Sequence, residues 1–171
     1  KIKRMVVAGT AILMTLSLAG CGIGSDSVKL GAAGVGGGYY AFSNAFAQIA
    51  SSEDEDLDFE VKATAGSTAN IRLLSDGYVD MAIAQADLVD AAYNGTGATD
   101  KKRYRGYSAV ASLYTEACQI VVRADSGIDS LDDLQGKKIS VGEEESGTQR
   151  NAEQILKMTG LVESLVDTVN L

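Results

Sequence analysis

Short apolar runs alternate with amphipathic stretches from Val28 onward, a pattern that predicts βαβ units around a mainly parallel sheet. Strands are expected at Val28–Ala32, Phe59–Ala63 and Asp80–Ala84, with further strands at Tyr107–Tyr114, Cys118–Arg123, Lys138–Val141 and from Val166. Between them, a helix is expected over about Tyr39 to Ser51, its inward face carrying Phe42, Phe46 and Ile49. A short helix opens at Gly66-Ser-Thr-Ala-Asn70 with Ile71 and Leu74 inward, and Ala86 to Tyr93 reads as helical. Ser130-Leu-Asp-Asp-Leu134 has the form of a capped short helix. The last helix runs from Thr148 to Met158, with Ala152, Ile155 and Leu156 on one face and Gly160 at its end.

The first residues follow a different grammar. Lys1, Lys3 and Arg4 precede an apolar stretch to Leu18, and Ala19-Gly20 bring the chain to Cys21. A basic start, a short apolar core and a small-residue end are the parts of an export signal. The stretch is shorter than the roughly 20 residues that span a bilayer as a helix. Leu18-Ala19-Gly20-Cys21 resembles the lipobox of bacterial lipoproteins, in which the cysteine thiol takes a lipid and becomes the mature N-terminus. Lipidation at Cys21, a polar tether over residues 22–27 and anchorage at the outer face of the cytoplasmic membrane or in the periplasm are therefore expected.

Charge and chemistry narrow the function. The formal net charge is −8, and the chain beyond Cys21 keeps 12 cations against all 23 acids, a balance that opposes nucleic-acid binding. No histidine occurs, so Ser-His hydrolase chemistry is excluded and the commonest metal ligand is missing. Two cysteines make no multi-cysteine zinc site, and Cys118, within an apolar run, is expected to be a buried small hydrophobe. Arg72 and the cluster Lys101-Lys-Arg-Tyr-Arg105 are expected to face solvent.

Four turns after strands carry the candidate chemistry. Gly31-Ala-Ala-Gly-Val-Gly-Gly-Gly-Tyr-Tyr40 is a glycine-rich link between strand and helix, where backbone N–H groups and a helix N-terminus converge on an anion. It matches a dinucleotide fingerprint poorly, because the second strand ends at Ala63 without an acid to hold a ribose. Gly66-Ser67 opens the second helix, and Gln85-Ala-Asp87 stands at the carboxyl end of a strand, where open α/β sheets bind ligands. Gly142-Glu-Glu-Glu-Ser-Gly-Thr148 repeats the strand-to-helix design. Each turn alone is explained by capping or tight turning; together they outline a cleft.

In order along the chain, Gly36-Gly-Gly-Tyr-Tyr40, Thr64-Ala-Gly-Ser67, Asn70-Ile-Arg-Leu-Leu74, Ala84-Gln-Ala-Asp87 and Ala92-Tyr-Asn-Gly-Thr-Gly97 resemble the TAXI family, substrate-binding subunits of tripartite ATP-independent periplasmic (TRAP) transporters. The resemblance continues through Ala109-Val-Ala-Ser-Leu-Tyr114 with Glu116, Gln119-Ile-Val-Val122, and Gly147-Thr148 with Asn151. It implies a periplasmic-binding-protein-like α/β fold of type II, a two-lobed Venus-flytrap whose second lobe is truncated here. Lobe I would cover residues 28–122, and the start of lobe II residues 123–171. It further implies a TRAP permease as partner, a small anionic or zwitterionic metabolite such as glutamate or glutamine as ligand, no cofactor and no catalysis.

By the same resemblance, ligand contacts fall on Gly38, Tyr39 and Tyr40 of the first turn, then on Ser67 and Asn70. Gln85, Asp87, Tyr114 and Glu116 follow, with Ser146, Gly147, Thr148 and Asn151 from the last turn. The run Glu143-Glu-Glu145 departs from the small or neutral residues of the family. Beside a helix start it suits the dipole; facing the cleft it would repel a dicarboxylate and favour a ligand with a cationic or neutral end. Two rivals stand against transport: an enzyme, disfavoured by the missing histidine, and the ligand-binding sensory domain of a receptor or regulator.

Overall fold

The computed structural model describes residues 27–97, 101–161 and 166–170. The export signal, Cys21 and the tether up to residue 26 lie outside the described residues. The fold is mixed α/β, with two parallel sheets and helices following their strands. Strands β1 (Val28–Gly31), β2 (Phe59–Lys62) and β3 (Met81–Ala82) form the first sheet in the order β2-β1-β3. Leu30 pairs with both Val61 and Met81, so β1 is central. Strands β4 (Lys138–Gly142) and β5 (Asp167–Asn170) make the second sheet, also parallel.

Four helices follow four of the strands: α1 (Gly38–Glu53), α2 (Ser67–Ser75), α3 (Ala86–Asn94) and α4 (Gly147–Met158). None of the described helices is long and apolar enough to cross a membrane. The first sheet buries Leu30, Ala32, Ala69, Ile71 and Val79. A second apolar cluster unites Leu134, Leu156, Leu161 and Val166, with Ile128 and Ile139 packed against it. Leu134 reaches that cluster from a single 3-10 turn at Leu131–Leu134, which is started by a capping box: Ser130 and Asp133 satisfy each other's backbone N–H groups.

Three expectations need correction. Helix α1 is rotated from the predicted face: Ser43 is wholly buried, Phe46 meets Phe59 edge-on at 5.4 Å, and Ile49 is 63% exposed. The runs Tyr107–Tyr114 and Cys118–Arg123 form no strands, and within them Val110 and Val121 are 85% and 86% exposed. A strand exists only where a neighbouring backbone accepts its hydrogen bonds, and none of the described residues supplies one there. Cys118, in the same segment, is an exposed free thiol rather than a core residue.

The basic cluster after α3 is fixed by aromatic faces. The Arg105 guanidinium lies 3.5 Å from the centroid of the Tyr93 ring, and the Lys102 ammonium 4.7 Å from that of Tyr104. The Ser75 hydroxyl donates to the Arg105 carbonyl at 2.8 Å, which ties this loop to the end of α2.

Candidate functional site

Parallel strands deliver their carboxyl ends to one side of a sheet, and the turn after each strand starts a helix there. In this chain the residues that immediately precede all four helices, Gly37, Gly66, Gln85 and Ser146, line a single cavity of about 360 Å³. That volume lies within the range of small-molecule sites. Only Ser146 caps its helix with a side chain, accepting from the Gln149 N–H at 2.9 Å. No acidic residue occupies the first turn of α1, α2 or α4. Three of the four helix starts are thus uncapped by their own side chains, and their dipoles bring partial positive charge to one space.

Two glycines allow the elements to come this close. Gly66 holds φ at +119°, outside the range open to other residues, and carries the chain from β2 into α2. Gly147 begins α4 directly against the first sheet's elements: a β-carbon there would run into the Gln85 side-chain amide and lie 2.9 Å from Ser67 Oγ. Ser67 in turn accepts from the Gln85 N–H at 3.1 Å. The starts of α2, α3 and α4 therefore interlock around one small residue.

The lining is also acidic and phenolic. Glu116 enters from the irregular segment, and the Tyr39 hydroxyl donates to its Oε2 at 2.8 Å. Burial foremost, then the bond to Glu116, raises the Tyr39 phenol well above its ordinary value; the Ser67 hydroxyl works in the opposite sense. Tyr39 is consequently a neutral hydrogen-bond donor throughout the physiological range. Glu143, the first of the three consecutive glutamates, also lines the cavity. Glu145 turns away and binds Arg72 through two hydrogen bonds of 2.6 and 3.2 Å, so Arg72 is an ion-pair partner rather than a free surface charge.

Of the thirteen residues expected at the site, Gly38, Tyr39, Ser67, Gln85, Glu116, Ser146, Gly147 and Thr148 line this cavity. Tyr114 stands just outside it, its hydroxyl 4.0 Å from where a Gly38 β-carbon would sit. Tyr40, Asp87 and Asn151 are not among the lining residues. Asn70 is fully buried beneath the site, where its amide nitrogen donates to the carbonyls of Ala32 at 2.6 Å, Ile83 at 2.8 Å and Gly31 at 3.3 Å. Its amide oxygen accepts from the Thr64 hydroxyl at 2.7 Å. Asn70 thus ties the ends of β1 and β3 together instead of facing the cavity. Lining residues outside the expected set are Ala33, Gly34, Val35 and Gly37 of the first turn, Ala65 and Gly66 of the second, and Glu143; all belong to motifs visible in the sequence.

No group of three or more metal-ligating side chains exists among the described residues. Parallel βα units that present helix starts to one small cavity are consistent with a periplasmic-binding type of fold. The sequence agrees with this: residues 30–170 match the NMT1-like family, and the chain belongs to it. That family is of the periplasmic-binding type and is related to solute-binding proteins.

Proposed function

We propose that this protein is an extracytoplasmic solute-binding lipoprotein of the TAXI type, which captures a small carboxylate or amino acid and delivers it to a TRAP permease. The observation that carries the reading is the meeting of the four residues before α1 to α4 around one cavity at the carboxyl ends of the strands. A ligand carboxylate placed there would accept from backbone N–H groups and from the hydroxyls of Ser67 and Thr148. The first sheet and its helices would act as one lobe and the β4–β5 unit as the other, closing over the ligand by a hinge. Cys21 would hold the protein at the outer face of the membrane, beside its permease.

Two measurements test this proposal. Thermal melting of the purified protein with amino acids and small carboxylates should give a raised midpoint with at least one of them, since a ligand at about 100 times its dissociation constant stabilises the native state by about 2.7 kcal/mol. Labelling of expressing cells with a radioactive fatty acid should mark the protein and fail to mark Cys21→Ser. An unchanged midpoint across the panel would defeat the solute assignment, and an unlabelled wild-type protein would defeat the anchor.

A further inference from the structure

We propose that Arg72 and Glu145 form a latch, which holds the start of α4 over the cavity in the ligand-free protein and loosens as ionic strength rises. The inference rests on the solute-binding reading above: hinge closure belongs to that reading, and the latch names the residues that set its balance before a ligand arrives.

Position is the first argument. Glu145 is followed directly by Ser146, Gly147 and Thr148, and Arg72 belongs to α2, whose first residue is Ser67; all four of these neighbours line the cavity. The Arg72 guanidinium reaches Glu145 through Nε at 3.2 Å and Nη2 at 2.6 Å. The backbone adds one crossing of its own. Ala69 is the third residue of α2, where an N–H has no acceptor within the helix, and it donates to the Glu145 carbonyl at 3.2 Å. Among the described residues, every hydrogen bond between the first sheet with α1 to α3 and the unit of β4, α4 and β5 is one of these, so all of them end on Glu145.

Strain at the same residue is the second argument. Glu145 is the only non-glycine residue with a positive φ among the described residues, at +62°. Such a conformation persists where surrounding contacts over-determine it, and here those contacts are the three that cross to α2 together with the Gln149 amide. Parting from α2 would free Glu145 to leave the left-handed region, so the strain favours opening while the ion pair favours closure. The two effects are small and of comparable size. A connection balanced in this way shifts under weak inputs: contacts made by a ligand in the cavity push it shut, and salt that screens two partly exposed charges lets it open.

Amide hydrogen exchange of the purified protein, followed residue by residue by NMR with no ligand added, tests the latch, and the Ala69 N–H is the reporter. In wild type the Ala69 amide should exchange faster than the amides of the central strand β1, because local opening releases it. Raising sodium chloride from about 0.05 M to about 1 M should speed the Ala69 amide about two- to fivefold, the size expected of a partly exposed pair. Arg72→Gln should show the faster rate already at low salt and lose the salt response. An Ala69 rate equal to that of β1 in every condition would mean that the bridge breaks only on global unfolding. An Ala69 rate indifferent both to salt and to Arg72→Gln would mean that the pair holds nothing in place. Either result overturns the latch and, since no ligand is present, leaves the solute-binding reading to be decided by the melting panel alone.

Discussion

Arg72 on α2 and Glu145 before α4 are joined by two hydrogen bonds, of 3.2 Å from Nε and 2.6 Å from a terminal guanidinium nitrogen, which connect the first sheet's helices to the β4–α4 turn. The backbone runs the same way: the Ala69 N–H donates to the Glu145 carbonyl at 3.2 Å. Glu145 makes these contacts in a left-handed conformation, φ +62°, which is unfavourable for a residue with a side chain. The Gln149 amide oxygen, accepting from the Glu145 N–H at 3.0 Å, helps to hold it there.

This bridge can be measured. Both side chains are 39% exposed, so water screens the pair and its net contribution is about 0.5–1 kcal/mol. Denaturant unfolding of Arg72→Ala, Glu145→Ala and the double variant should give a coupling energy of that size and sign. Strictly additive single effects would show that the two charges do not act together in solution.

Asn70 carries more of the stability than any ion pair. Its replacement by Ala leaves the Gly31, Ala32 and Ile83 carbonyls and the Thr64 hydroxyl without this partner in a buried setting. We expect Asn70→Ala to destabilise the protein by about 3 kcal/mol in chemical unfolding. A loss below about 0.5 kcal/mol, accompanied by weakened ligand binding, would instead move Asn70 from the scaffold to the site.

Gly147 is where the first sheet's elements and α4 come closest. The β-carbon of Gly147→Ala would overlap the Gln85 amide and crowd Ser67, both on the cavity wall, so α4 must retreat or Gln85 must swing away. Overpacking of this kind costs about 1–3 kcal/mol. Calorimetry should show ligand affinity reduced by about tenfold or more, while Gly160→Ala, where space is open but φ is +77°, should lower stability and change affinity little. Equal affinities for Gly147→Ala and wild type would mean that the contact opens when ligand binds.

These residues also mark where the sequence was legible. The βα alternation, the four glycine- or hydroxyl-bearing turns and the Ser130–Asp133 capping box are local signals, written within a few residues of one another. Their meeting around one cavity follows from parallel strands sharing a direction, so most of the lining could be read from the order of the motifs. Asn70 shows the limit, because a ligand contact and a buried bracket have the same local sequence and differ only in what the sheet places above them. Tyr107–Tyr114, Cys118–Arg123 and the exposed Cys118 fail for a related reason: apolar alternation records a capacity for pairing, while pairing itself depends on distant chain. Three adjacent glutamates look alike in the sequence, and only the fold, through Arg72, singles out Glu145.

The phenols supply a pH test. Tyr39, Tyr107 and Tyr114 all have pKa values raised above the ordinary value of about 10, burial being the first cause in each, with Glu116 adding to Tyr39 and Tyr114. A raised folded value means that the native state holds its protons more tightly than the unfolded chain. The resulting stability is complete below about pH 10 and drains away as pH rises through the folded values. Phenolate absorbance of the native protein should therefore show tyrosines that ionise later than the exposed ones, with Tyr39 the last. Tyr39→Phe should remove that late component and flatten the decline of unfolding free energy above about pH 10. If all the tyrosines ionised together near pH 10 while the protein stayed folded, the Tyr39–Glu116 bond would not exist in solution, and Glu116 would lose the group that fixes it in the cavity wall.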